Sequence, residues 1–216
     1  MWARVHRWLA IVLVVPLVVW SITGLLFHLK PGWDRAYDQL GAERTGGALH
    51  PGAVTPLATI EASLGATTIT RIELFDTVLG PLYRVTTASG AQLFDATTGR
   101  PRSPLSTEDA RSLAVDAVAR SRHRADYGDP LDAKAVDDTI RVRFAGGPTV
   151  DIGRSDARMS QRGPDTDRID WLYRIHYVQW TGNHMLDRAL GLVALILIWA
   201  VFVPGIVLFV RRMRGA

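Results

Sequence analysis

Cysteine is absent from all 216 residues, which excludes disulfides, iron–sulfur clusters and covalently attached c-type haem. The absence does not fix a compartment, because a domain of this size can fold without disulfides. Also missing are a Ser/His/Asp or Cys/His arrangement, a phosphate-binding loop and a carboxylate cluster with metal spacing, so neither hydrolase nor kinase chemistry has support. Charge is missing from two long stretches: Trp8 to Leu29 and Ala189 to Val210 each run 22 residues without a charged side chain. The net charge of +4 comes from five arginines outside those stretches, Arg4, Arg7, Arg211, Arg212 and Arg214; the rest of the chain nets −1. That pattern is a topology signal and leaves no footprint for nucleic acid.

Twenty-two residues of helix cover about 33 Å, the thickness of a hydrocarbon core, so both stretches read as transmembrane helices. Arginines at both chain ends place both termini in the cytoplasm and the middle of the chain outside it. The first apolar run is too long for a cleaved signal, and Phe27-His28-Leu29-Lys30 offers no small-residue cleavage site, so it reads as a retained anchor. The resulting divisions are a tail at 1–7, a span at 8–29, a linker at 30–54, an α+β domain at 55–153, a linker at 154–169, an interfacial aromatic segment at 170–182, a second span with its outer first turn at 183–210, and a tail at 211–216.

A histidine stands at each end of the first helix. His6 and His28 fall on nearly one face, together with Ala10, Leu13, Leu17, Ser21 and Gly24. In the second span the face of His184 carries Gly191, Ala194, Ile198 and Gly205. Small residues on one side of a membrane helix mark the approach of another helix or of a flat ligand.

Between the spans, Thr55-Pro56 predicts an N-cap and first helical position for a helix carrying Leu57, Ile60 and Leu64. Alternating runs around Ile72–Leu74, Tyr83–Val85 and Gln92–Phe94, separated by Gly80-Pro81 and Ser89-Gly90, predict a three-stranded meander. The pattern recurs. Ser106-Thr107-Glu108-Asp109 starts a second helix with Ala110, Leu113, Ala114, Ala117 and Val118 on one face, and strands follow around Ile140–Phe144 and Thr149–Ile152. Two helix-plus-antiparallel-strand units make a small α+β domain, with helices on one face of the sheet. The segment from Asp170 to Trp180 gathers Trp171, Tyr173, Tyr177 and Trp180 with His176, the composition of a membrane interface. Asn183 is placed to cap the next helix, with His184 in its first turn. His50 and His123 read as solvated.

These features, in this order, resemble the PepSY-associated transmembrane family. The resemblance rests on His6-Arg7-Trp8-Leu9 opening the first span, Thr23-Gly24-Leu25 late in it, and Phe94-Asp95-Ala96-Thr97-Thr98-Gly99 followed by Pro104-Leu105-Ser106. Trp171 with Ile175-His176 ahead of the last span, and Gly205 near its end, complete it. The family includes iron-regulated inner-membrane proteins and ferric-siderophore reductases that hold b-type haem between membrane histidines, and its PepSY domain is similar to modules that restrain secreted peptidases. The resemblance implies a bacterial inner-membrane protein binding haem b and serving electron transfer. It departs from the reductases in having two spans, Ala10 where glycine is common, Pro204 before Gly205, and no histidine at the cytoplasmic end of the second span.

Under that resemblance, His28 with His184, or with His176, are the candidate axial ligands of the haem iron, since a bis-histidine haem needs two imidazoles at one depth. His6 is a further candidate without an axial partner in its own chain. Arg174 and Arg188 could pair with propionates or with phospholipid headgroups. The same histidines would equally serve as interfacial residues near water. The expected architecture is thus a membrane α+β protein, two transmembrane helices flanking an extracytoplasmic PepSY-like domain, in contact with lipid and assembled as a homodimer or with other membrane subunits. Its rivals are a non-enzymatic extracytoplasmic regulator and an accessory subunit of a larger membrane complex.

Overall fold

The computed structural model describes residues 2–44 and 51–215. In chain order the helices are α1 (Trp2–Leu29), α2 (Trp33–Ala36), α3 (Leu57–Leu64), α4 (Thr107–Arg120), α5 (Arg124–Tyr127), α6 (Pro164–His176) and α7 (His184–Arg214). The strands are β1 (Ile69–Phe75), β2 (Leu82–Thr87), β3 (Gly90–Asp95), β4 (Pro130–Val136), β5 (Thr139–Phe144), β6 (Thr149–Gly153) and β7 (Met159–Arg162). The chain divides into two compact units, 1–33 with 167–216 and 34–166.

The helical unit carries two helices long and apolar enough to cross a membrane, Arg7–Leu29 and His184–Arg214. Almost none of the second is buried within the chain, so its apolar surface faces lipid or another protein. Both helices run through an internal proline, Pro16 and Pro204, each of which removes one backbone hydrogen bond. As the sequence predicts, Asn183 caps α7, its side-chain oxygen accepting from the N–H groups of Met185 and Leu186.

The α+β unit holds two separate antiparallel sheets, ordered β1-β2-β3 and β4-β5-β6-β7, where the sequence suggested one. One face of the first sheet packs Tyr83, Val85 and Phe94 on Ile60 of α3. Its other face turns Phe75, Leu82 and Leu93 into a larger core shared with Leu113 and Ala114 of α4 and with Val142, Val150 and Ile152 of the second sheet. Each buried aliphatic side chain there contributes about 1.5–3 kcal/mol relative to exposure. The predicted meander and the Ser106/Asp109 capping box of α4 are both present. The predicted Thr55 cap is not. No side chain caps α3, and the Thr55 hydroxyl donates instead to the Thr97 carbonyl at 2.9 Å.

Much of the stretches expected as linkers, 34–44 and 154–166, folds into this unit. Ala36 and Ala42 are buried, Asp38 accepts hydrogen bonds from Ser121 and Tyr127, and Arg44 pairs with Asp116 at 2.7 Å. Burial, with Asp38 beside it, holds the Tyr127 phenol protonated well above its ordinary range. Gln161 and Thr166 both donate to the Ala36 carbonyl, so the two ends of the unit are bonded to one another. Arg84, buried in the middle of β2, donates to the Asp156 carbonyl, lies against the Phe75 ring and faces Glu73 at 3.3 Å and Glu43 at 3.4 Å. On the second sheet, directly opposed pairs fix the register: Arg141 forks onto Asp151 and Arg143 onto Asp132.

Candidate functional site

The site lies within the helical unit, where α1, the end of α6 and the first turns of α7 surround an apolar cavity of about 670 Å³. That volume falls in the range of roughly 300–1,000 Å³ found for small-molecule and cofactor sites. Leu13, Leu17 and Trp20 of α1 face Leu190, Gly191 and Ala194 of α7 across it, and His176 is the imidazole on its wall among the described residues.

His176 is held by a polar residue that the apolar surroundings would not otherwise tolerate. Thr23 is buried, and its hydroxyl lies 2.9 Å from the Val19 carbonyl, 3.0 Å from the Trp20 carbonyl and 2.9 Å from His176 Nδ1. Carbonyl oxygens only accept, so when the single hydroxyl proton goes to the helix backbone, Nδ1 carries the hydrogen that Thr23 Oγ1 receives. The nitrogen left for a ligand is Nε2. At Gly24 a Cβ would stand 3.6 Å from His176 Cε1, in ordinary van der Waals contact, so it is a side chain larger than alanine that would crowd the ring. Rings complete the enclosure: Trp20 at 5.6 Å, Phe27 edge-on at 5.0 Å and Tyr177 edge-on at 5.2 Å. Phe27 also stacks on Tyr173 at 4.7 Å. The aromatic segment expected at 170–182 is therefore helix to His176. It is divided between rings packed on α1 and rings left exposed, among them Trp171 and Trp180.

The other sequence candidates lie elsewhere. His28 and His184 are exposed and do not line the cavity. Arg174 and Arg188 are likewise exposed and off its wall. His6 falls in the first turns of α1, with its side chain outside the described residues, and His50 is outside them altogether. His123 is a correction. It is largely buried rather than solvated, Nε2 standing 3.6 Å from Asp34 and Nδ1 3.8 Å from Asp126. Among the described residues no group of three or more His, Asp or Glu gathers as a metal site. In the sequence Thr23 shows as a polar residue inside an apolar run and as part of Thr23-Gly24-Leu25, without its partner. Another such signal is Asp187, buried in the first turn of α7, whose carboxylate accepts from the Thr181 N–H and hydroxyl.

A haem is a test of this cavity. The apolar walls, the small residues Gly191 and Ala194 and one oriented imidazole fit a flat apolar macrocycle held through a single histidine. A second axial histidine is not on the wall among the described residues.

No curated protein and no solved structure matches the chain. Residues 2–216 match the family described as the PepSY-associated TM region, and the chain belongs to that family.

Proposed function

We propose that this membrane PepSY protein binds b-type haem in the cavity on His176 and serves electron transfer linked to iron or siderophore reduction or to respiration. The observation that supports this reading is the pairing of Thr23 with His176 on the wall of an apolar cavity of cofactor size. A bound haem would supply one-electron redox chemistry at its iron. The chain's own part is to bind and orient. His176 offers Nε2, Thr23 fixes the ring through its hydrogen bond with Nδ1, and Trp20, Leu13 and Leu17 exclude water. Among the described residues one chain brings one histidine to the cavity, so a second ligand would come from a second copy or from another membrane subunit. The largely uncovered apolar surface of α1 and α7 suits a homodimer or a four-helix bundle. Arg174 and Arg188, both exposed, suit lipid headgroups. The arginines at both ends favour a bacterial inner-membrane protein with cytoplasmic termini and an extracytoplasmic α+β unit.

The experiment is an absorption spectrum of the full chain purified from haem-sufficient cells. A Soret band that shifts on reduction is expected, lost in His176→Ala and kept in His50→Ala and His123→Ala. A wild-type protein without the band overturns the haem reading. A band lost only in the double variant His28→Ala with His184→Ala returns the ligands to the pair suggested by their common depth.

A further inference from the structure

A second concave site lies in the α+β unit and owes nothing to the haem reading. It is a groove of about 450 Å³ along the outer edge of β3, with Gln92 and Leu93 on one side and Arg102, Ser103, Arg154 and Ser155 on the other.

The backbone pattern says what the edge offers. β3 pairs inward with β2, and part of its outer side is already taken by a short returning segment. Asp95 N–H donates to the Arg100 carbonyl at 3.0 Å, and the Arg102 N–H donates to the Leu93 carbonyl at 2.8 Å. Outward-facing groups alternate along a strand, so the next in line are the Leu93 N–H and both backbone groups of Ala91. The chain abandons the edge at that point. Ser103-Pro104 leads away to α4, and Pro104 has no N–H to give. Three backbone groups therefore stand ready in the groove beside a half-covered alanine and an exposed glutamine.

Charge says which kind of chain end fits. The edge is closed beyond Leu93 by Arg100–Arg102, so an added strand must terminate there. Arg102 gives one of its five donors to Asp109 at 3.3 Å, and Arg154 gives one to the Leu105 carbonyl at 3.4 Å. No carboxylate lines the groove among the described residues. Two guanidiniums with spare donors suit a carboxylate terminus and repel an ammonium terminus.

We propose that the β3 edge binds the free C-terminus of an extended peptide, which runs parallel to β3 from Gly90 towards Leu93 and delivers its terminal carboxylate to Arg102 and Arg154. The added strand takes its backbone hydrogen bonds from Ala91 and Leu93, and the guanidiniums select the terminus.

The test uses the full chain in detergent and an amino-terminally fluorescein-labelled pentapeptide, Thr-Val-Thr-Val-Val, read by fluorescence anisotropy. The free acid should bind. Its C-terminal amide should bind at least about tenfold more weakly, as should the free acid to Arg102→Ala or to Arg154→Ala, each having lost a hydrogen bond to a charged group. Ala91→Pro, which removes one outward N–H, should weaken the acid and the amide alike. Arg141→Ala, on the other sheet, should leave binding unchanged. Thermal unfolding of each variant identifies loss by misfolding, and Arg102→Lys, which keeps the charge, should retain part of the affinity. Equal binding of acid and amide overturns the proposal. So does full competition by millimolar succinate together with indifference to Ala91→Pro, which would make the groove a small-anion site.

Discussion

Thr23 and His176 stand 153 positions apart in the chain, and their side chains meet at 2.9 Å inside the helical unit. The hydroxyl is bound to its own helix on one side and to an imidazole on the other, so it transmits the orientation of α1 to the ring.

Thr23→Val keeps the shape and removes the oxygen. A group that orients a ligating histidine is worth roughly 10- to 100-fold in affinity for the metal centre. Haem retention should fall by that order and the Soret band should broaden, while Thr23→Ser restores both. Measured haem dissociation from the full chain decides it; equal rates for the valine and serine variants would reduce the contact to packing.

Gly24 and Gly191 should respond differently to leucine. At Gly24 a Cβ alone reaches van der Waals contact with His176, so the larger side chain must displace the ring. At Gly191 nothing of the chain lies within 4 Å, so leucine fills the cavity instead. Both variants should lose haem, but only Gly24→Leu should disturb the ring, read as altered His176 imidazole resonances in the haem-free protein. A change in native mass on Gly191→Leu would place that residue at a contact between chains.

Arg84→Ala should destabilise the α+β unit by about 3 kcal/mol, the usual cost of removing one partner from a buried ion pair. The loss strips Glu73 of one of its two cations, Arg71 remaining at 2.7 Å, and the Asp156 carbonyl of a donor. Chemical denaturation of the segment 34–166, wild type against variant, gives the difference. A change within 0.5 kcal/mol, roughly the effect of an ordinary surface substitution, would mean that water replaces the guanidinium freely.

Acid should loosen the first segment of that unit before its core. The hydrogen bond from Arg44, aided by the charge of Arg120, holds the Asp116 carboxyl below the usual carboxylate range. A folded-state value lowered in this way stabilises above the unfolded value of about 3.9, and the contribution is lost as pH falls from there through the folded value. Stability attributable to the pair should thus be flat from neutral to about pH 4 and fall below it. Arg44→Ala should flatten that acid limb in pH-dependent unfolding; an unchanged limb would assign it to other carboxylates.

Orientation can be read directly. A periplasm-dependent alkaline phosphatase fused after Ala216 should be inactive, and the same enzyme inserted near Ser89 should be active. The reverse result inverts the proposed topology.

The legible parts of this fold are those whose signal is local. Uncharged runs mark the long helices without reference to anything else, alternation marks β2 and β3, and Ser106 with Asp109 announces α4. The edge strands of the second sheet are not legible: Pro130–Val136 starts with proline and mixes charge into half-exposed positions, and Met159–Arg162 is four mostly polar residues. A signal for α6 was present in Pro164, since proline favours a first helical position, but the polar residues after it resemble a linker. The site was legible in residue type and not in partnership. His28, His176 and His184 share a depth by counting, yet which of them meets the cavity depends on the rotation of α1, and that is set by Leu13, Thr23 and Phe27 rather than by the histidines.

The bond between Thr166 and the Ala36 carbonyl sets a schedule for biosynthesis. Its partners are 130 positions apart, so residues that open the α+β unit emerge long before those that close it. At about 5–20 residues per second the ribosome needs roughly 7–26 s to cover that distance. Until Gln161 and Thr166 are made the Ala36 carbonyl lacks both donors, and Glu43 waits until Arg84 is made. A chaperone that holds early segments has its window there, and a stall before Gln161 leaves the Ala36 carbonyl without either donor.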